Sequence, residues 1–299
     1  MSFRPETISA LQSFLREAEA PVGQIDRSAF TTLVNHVPED MTATVQAGMN
    51  LSEFQDAIGK RGQWLPVDPP FSGSNTIGDV IENNLNGPQR LGFGTIRDWL
   101  IGLRFVMADG REVFNGGNVV KNVAGFDLCK LLAGSRGALG VVVEATFKLS
   151  PIPEKRSIRF IEIDNNDAPA FIERIRKASL SPVVLDLFKI DSEPVRLAIG
   201  FCGAEADVEA QLDKLEGIAD STEGNLEYDV TIRTTASNAR SMPPANLPAL
   251  ISETNSEPWV IRAGNGILYS NEAPKRHEPT ALEQRVKETF DPKGILPPL

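Results

Sequence analysis

VDPPFSGSNTIGDVIENNLNGPQRLGFGTIRDWLIGLRFVMADG (residues 67–110) and KNVAGFDLCKLLAGSRGALGVVVEATFKL (residues 121–149) decide how this chain is read. Glycine, small polar residues and β-branched runs alternate through both. In such a stretch the backbone is the recognising surface, because free amides and absent side chains let a ligand come close. WLPVDPP (residues 64–70) holds three prolines and is stiff and extended. Residues 76–85 predict a short helix that Gly87-Pro88 breaks, and residues 99–108 alternate like a strand. The turn Ala108-Asp109-Gly110 leads into a returning strand over residues 111–114. A helix is expected over 128–134 and a strong β-branched strand over 141–149. Between them Gly134, Gly137 and Gly140 recur every third residue. Tight turns with close packing and close approach to a nucleotide both explain that spacing. It neither follows a strand nor opens a long helix, so no Rossmann fingerprint is present.

On the N-terminal side, Ile8, Leu11, Phe14 and Leu15 stand at helical spacing within residues 5–18, with Thr7 or Pro5 to begin the helix. An Asp-Arg-Ser turn follows among Ile25, Phe30 and Leu33, then a strand over 42–47 and a helix over 51–60 with Ser52 as its cap. Pro151 and Pro153 mark a boundary, which gives domains 1–150 and 151–299. Beyond it the expected order is strand (157–163), helix (168–178), strand (182–188), strand (195–201) and helix (204–215). That order suits an antiparallel sheet with helices on one face. A strand is expected over 225–235, a loop over 237–257, a strand pair around Gly264-Asn265-Gly266, and a final helix over 278–290 that returns towards the first domain.

The composition excludes several classes. A formal charge of -10 argues against a nucleic-acid partner, which needs a basic face to displace phosphate counterions. No window approaches the roughly 20 apolar residues of a membrane span, and the start MSFRPETISA lacks the pattern of a secretory leader, so a cytoplasmic protein is expected. Cys129 and Cys202, far apart and without a CxxC, hold neither an iron-sulfur cluster nor a structural zinc, and no metal site is expected. His36 and His277 stand in polar, proline-flanked stretches and read as surface histidines.

The runs DPP, TIGDVIENNLNGP, GFGTIRDWLIGLRFVMADG, KNVAGFDL and GSRGALGVVVEATFKL together resemble the FAD-binding domain of the vanillyl-alcohol-oxidase/PCMH flavoprotein superfamily. Within it the likeness is to the GlcE-type FAD-binding subunit of bacterial glycolate oxidase. The ordered pair KNVAGFDL and GSRGALGV is the specific signal. The resemblance implies an α+β fold: a two-lobed PCMH-type domain with a shortened N-terminal lobe, followed by a ferredoxin-like α+β substrate domain. It implies FAD held between the lobes. By motif, Pro69 and Pro70 border the isoalloxazine side, while Ser74, Thr76, Ile77 and Gly78 offer amides and a hydroxyl to the flavin and diphosphate. Gly94, Thr95 and Asp98 border the phosphate and ribose, and Gly137, Gly140, Val141 and Val142 the adenine end. Arg196 and Arg262 are candidates to clamp a substrate carboxylate. No side chain is singled out as a catalytic base.

The implied activity is flavin-mediated oxidation of glycolate or another small 2-hydroxy acid, with a catalytic flavoprotein and an iron-sulfur subunit as partners. A degenerate paralogue that binds FAD weakly or not at all and acts as a scaffold is the alternative, and a stand-alone oxidase the third. Three departures bear on the choice. The Gly-rich loop that wraps the diphosphate in the superfamily is replaced by Ala20-Pro21-Val22-Gly23 running into Gln24-Ile25-Asp26. Asp79 stands where the family's TIGG has its second glycine, and a carboxylate there repels a diphosphate by on the order of 1 kcal/mol if partly solvated. Arg136 stands where many relatives carry an acid, and it partly offsets Asp79 if the two are close.

Overall fold

Thr7 starts the first helix in the computed structural model, its hydroxyl accepting from Ala10 N as an N-cap. The structure describes residues 3–117, 127–254, 256–272 and 278–299. Along the chain come α1 (Ile8–Glu17), β1 (Leu33–Val37), β2 (Thr42–Gln46), α2 (Leu51–Gly59), β3 (Gln63–Trp64), α3 (Ile77–Glu82), α4 (Arg90–Phe93), α5 (Ile96–Trp99), β4 (Leu100–Val106), β5 (Glu112–Gly116), α6 (Leu128–Leu132), β6 (Val141–Lys148) and β7 (Ser150–Pro151). The second half adds β8 (Lys155–Glu162), α7 (Ala168–Lys177), β9 (Val184–Lys189), β10 (Arg196–Gly203), α8 (Glu205–Glu216), β11 (Thr222–Gly224), α9 (Glu227–Arg233), β12 (Asn238–Ser241), α10 (Leu247–Ser252), β13 (Trp259–Arg262), β14 (Ile267–Ser270) and α11 (Ala281–Phe290).

The chain divides into two units. The first comprises Met1–Leu85, Thr95–Ile152 and His277–Leu299, the second Asn86–Gly94 and Pro153–Arg276. The first unit is built on an antiparallel sheet of order β1-β2-β6-β4-β5. β6 runs through its centre, and its alternating side chains feed two cores. Val142, Ala145 and Phe147 face α2, α3 and α6, with Phe54, Ile58, Ile77, Ile81 and Leu132 against them. Val141 and Val143 face the opposite side, where Leu11 and Leu15 of α1 pack with Phe30, Ile295 and Leu296. Each fully buried Leu, Ile or Phe contributes about 1.5–3 kcal/mol. Before β1 the described residues hold α1 and one parallel bridge, Phe3 to Ile25. β1 itself was not expected; it pairs with β2 through a bulge between Leu33 and Asn35.

The second unit contains the succession β8-α7-β9-β10-α8-β11. Its four strands lie in the order β11-β8-β10-β9 and every pair is antiparallel, which is the ferredoxin-like arrangement. β13, β14 and β12 extend it to seven strands. Two expectations fail here. Residues 227–233 form a helix rather than a strand, because Tyr228 and Ile232, four apart, are the buried pair while Val230 is exposed. Asn225 starts it by accepting from Glu227 N. The stretch 237–257 is not a plain loop either, since it carries β12 and α10, with Leu247 and Leu250 buried. Among the described residues no helix is long and apolar enough to cross a membrane.

Candidate functional site

The site is organised by a short turn. Asp26 accepts from Ser28 N, and Phe30 N donates back to Arg27 O, which turns the Arg27 side chain inward. Gly48 makes room for that turn: a Cβ there would lie 1.9 Å from Arg27 O. Ala47 O next receives the amide of Gly78 at 2.7 Å, which fixes the start of α3 against the same turn.

Arg27, with only 10% of its side chain exposed, reaches two carboxylates of α3. Its Nη1 donates to Glu82 Oε1 at 2.5 Å and its Nη2 to Asp79 Oδ1 at 3.2 Å. Glu82 Oε1 also accepts from Val142 N. Burial pushes the Glu82 carboxyl above the usual carboxylate range, against the pull of the Arg27 guanidinium. Asp79 closes a capping box, taking Thr76 N and Thr76 Oγ1 on its second oxygen.

These residues form one wall of a cleft of about 480 Å³. Gly137, Gly140 and Val141 form another, and Val22 to Ile25 and Leu296 to Pro298 the rest. The C-terminal wall is tied in place. Val22 N donates to Ile295 O, and Asp291 accepts the amides of Ile295 and Leu296. Lys287 Nζ donates to Asp291, Ala138 O and Leu296 O. Asp291 is lowered from the ordinary aspartate value: burial works against it, but Lys287 and the two amides outweigh burial. Arg136 also lines the cleft, yet the cation paired to Asp79 is Arg27.

The structure therefore brings together Gly137, Gly140 and Val141, with Gly78 adjoining through Arg27. It does not bring the others there. Pro69 and Pro70 are buried, and Pro70 O accepts from Asn75 within its own turn. The amides expected to face a diphosphate all have partners: Ser74 N on Phe71 O, Thr76 N on Asp79, Ile77 N on Met49 O and Gly78 N on Ala47 O. Gly94 N donates to Arg90 O in the second unit, whereas Thr95 and Asp98 cap α5 in the first. Val142 N is taken by Glu82.

Arg262 is an interior counter-ion, 2% exposed, held by Asp186 and by Asp229 at 2.5 Å, so it offers no fork to a substrate. Arg196 pairs with Glu193 three residues before it. The motif residues 121–126 lie outside the described residues; Asp127 caps α6. His36 binds Gln63, and His277 lies outside the described residues. No group of metal-ligating side chains occurs among the described residues.

Arg27 and Glu82 were the members that sequence reading missed. One signal was available: Asp79 and Glu82, three apart on one short helix, put two carboxylates on one side and call for a cation.

Residues 7–114 match the FAD binding domain family. This segment belongs to that family. The chain is 34% identical over 187 residues to the glycolate oxidase subunit GlcE of Escherichia coli, covering 62% of this chain and 52% of that one. It is 38% identical over 162 residues to the glycolate oxidase subunit GlcD of Bacillus subtilis, covering 54% and 34%. The chain thus spans about half or less of these relatives. An alkyldihydroxyacetonephosphate synthase shares the fold, with a TM-score of 0.74 at 18% identity over 99% of this chain and 76% of that one.

FAD is the cofactor that the family match indicates. Gly137, Gly140 and Val141, which the resemblance assigns to the adenine end, line an open cleft of about 480 Å³. The residues that the resemblance assigns to the diphosphate, Ser74 and Thr76 to Gly78, do not fit it in the arrangement seen. Their amides are engaged, Gly78 is covered by a guanidinium, and two carboxylates flank the spot.

Proposed function

We propose that the chain is a GlcE-type subunit of an assembly that oxidises glycolate or another small 2-hydroxy acid, in the cytoplasm. The first unit is its FAD-family part and the second its substrate or cap part. The observation that carries this reading is the similarity to GlcE over 187 residues, which runs well past the 7–114 segment that marks a FAD-binding domain of any kind.

A catalytic flavoprotein and an iron-sulfur subunit are the proposed partners. Cys129 and Cys202 alone cannot ligate a four-cysteine cluster, which fits a reading in which the iron-sulfur centre is supplied by the partner. Arg262 is held by Asp186 and Asp229, and Arg196 is paired with Glu193, so neither arginine carries the substrate-clamp role in this reading. The placement of Arg27 favours a second reading, a family member kept for its surface, a scaffold with little bound FAD.

Affinity purification of the full chain from its native cells, with mass spectrometry and a glycolate-dependent dye-reduction assay, tests the assembly. A co-purifying GlcD-like subunit, with activity lost when this chain is deleted, is expected. A chain that purifies alone, with glycolate oxidation unchanged in its absence, overturns the reading.

A further inference from the structure

We infer that Arg27 is a resident occupant of the diphosphate side of the cleft, so that the chain closes its own phosphate subsite and retains FAD only weakly. The identity of the excluded ligand rests on the FAD-family reading; the closure itself rests on geometry.

Four observations carry it. A Cβ on Gly78 would lie 2.7 Å from Arg27 Cζ and from Arg27 Nη1, so the space that glycine leaves at this position is filled by the guanidinium. Arg27 is held on both sides, by Glu82 at 2.5 Å and Asp79 at 3.2 Å, and its side chain is 10% exposed. Its backbone is clamped by the 26–30 turn and by the close approach of Gly48, so the whole residue cannot drift out. Finally, the three groups sum to one negative charge. A diphosphate that ejects Arg27 faces two unpaired carboxylates, and one that leaves it in place cannot touch the Gly78 backbone.

An arginine serving as a phosphate ligand would look different. Its fork would point into open space, whereas here each Nη already donates to a carboxylate of the neighbouring helix and the side chain is 10% exposed. Asp79 is integral to the closure. Its Oδ2 caps α3 while its Oδ1 holds the guanidinium, so one side chain fixes both the helix start and its cover.

The test uses the purified full chain and free FAD, read by quenching of flavin fluorescence and by flavin absorbance retained through gel filtration. Wild type is expected to lose its flavin on the column. The triple variant Arg27→Ser, Asp79→Gly, Glu82→Gln is expected to bind FAD at least tenfold more tightly. Stoichiometric flavin on wild type overturns the closure, as does a triple variant that binds no better or more weakly.

A second measurement needs no flavin. Gly78→Ala should lower the melting temperature of wild type and lose most of that effect in an Arg27→Ser background. An equal effect in both backgrounds shows that Arg27 does not occupy the Gly78 face and overturns the inference. Neither readout depends on partner subunits, so failure of the assembly reading is seen separately in the purification above.

Discussion

Gly140 shows how one missing side chain can have two causes. A Cβ added there would meet Phe105 Cδ2 at 2.7 Å and Val106 O at 3.2 Å, both in residues of β4 that are fully buried. Gly140→Ala is therefore expected to cost about 1–3 kcal/mol through overpacking. A lowered urea midpoint checks it, and an unchanged midpoint would show that Phe105 yields. Gly137 differs: its φ is +77°, and an added Cβ would have only Glu82 and Pro297 at ordinary contact distance. In sequence the two glycines look alike, because absence of a side chain is all that a glycine displays. Packing against Phe105 and a left-handed turn beside a cleft are told apart only by what surrounds them. Arg27 was illegible for a related reason. Its partners lie 52 and 55 residues away, and nothing local in Ile25-Asp26-Arg27-Ser28 says which helix the guanidinium will meet.

Among the elements, α11 and the segment after it act as one fastening. Lys287, 8% exposed, ties the helix to Ala138 O, Leu296 O and Asp291 through a single ammonium group. Lys287→Met leaves Asp291 buried without its cation and two carbonyls without a donor. A loss of about 3 kcal/mol is expected, measured by urea unfolding; a loss below about 1 kcal/mol would mean that water replaces the ammonium. The helix over 281–290 was readable from periodicity because its burial is one-sided, and most strands from their apolar, β-branched runs, since strands such as β6 and β9 are buried on both faces. α9 was not. Leu226, Tyr228, Val230 and Ile232 alternate as a strand does, and only packing reveals that Tyr228 and Ile232 are the pair that goes inside. The fold family was legible through motif order, whereas the cover over Gly78 was not.

At the scale of the whole molecule, titration sets a stability profile with a definite sign. Burial raises Asp186 to about 6, opposed by Arg262 and by the hydroxyl of Tyr228, and burial also raises Glu82 and Glu144. Between the unfolded aspartate value near 3.8 and about 6, the folded chain holds the extra proton on Asp186, so stability falls as pH rises through that window. Asp291 has the opposite sign: its folded value is lowered, so its contribution is present above about pH 4 and is lost as the pH falls further. A stability maximum near pH 4 is expected in urea midpoints taken across pH, and Asp186→Asn should flatten its alkaline flank. A midpoint that rises steadily from pH 5 to 7 would contradict the placement of Asp186. The division of the chain also dictates an order of events during synthesis. Residues 86–94 are made early but belong to the second unit, where Gly92 N bonds Val183 O and Leu91 packs under Gly264. The first unit recruits Val286, Phe290, Ile295 and Leu296 for its cores. At roughly 5–20 residues per second, a nascent first unit waits on the order of ten seconds after residue 152 for its last pieces. During that interval the apolar surface that Val286, Phe290, Ile295 and Leu296 will cover has no partner from its own chain.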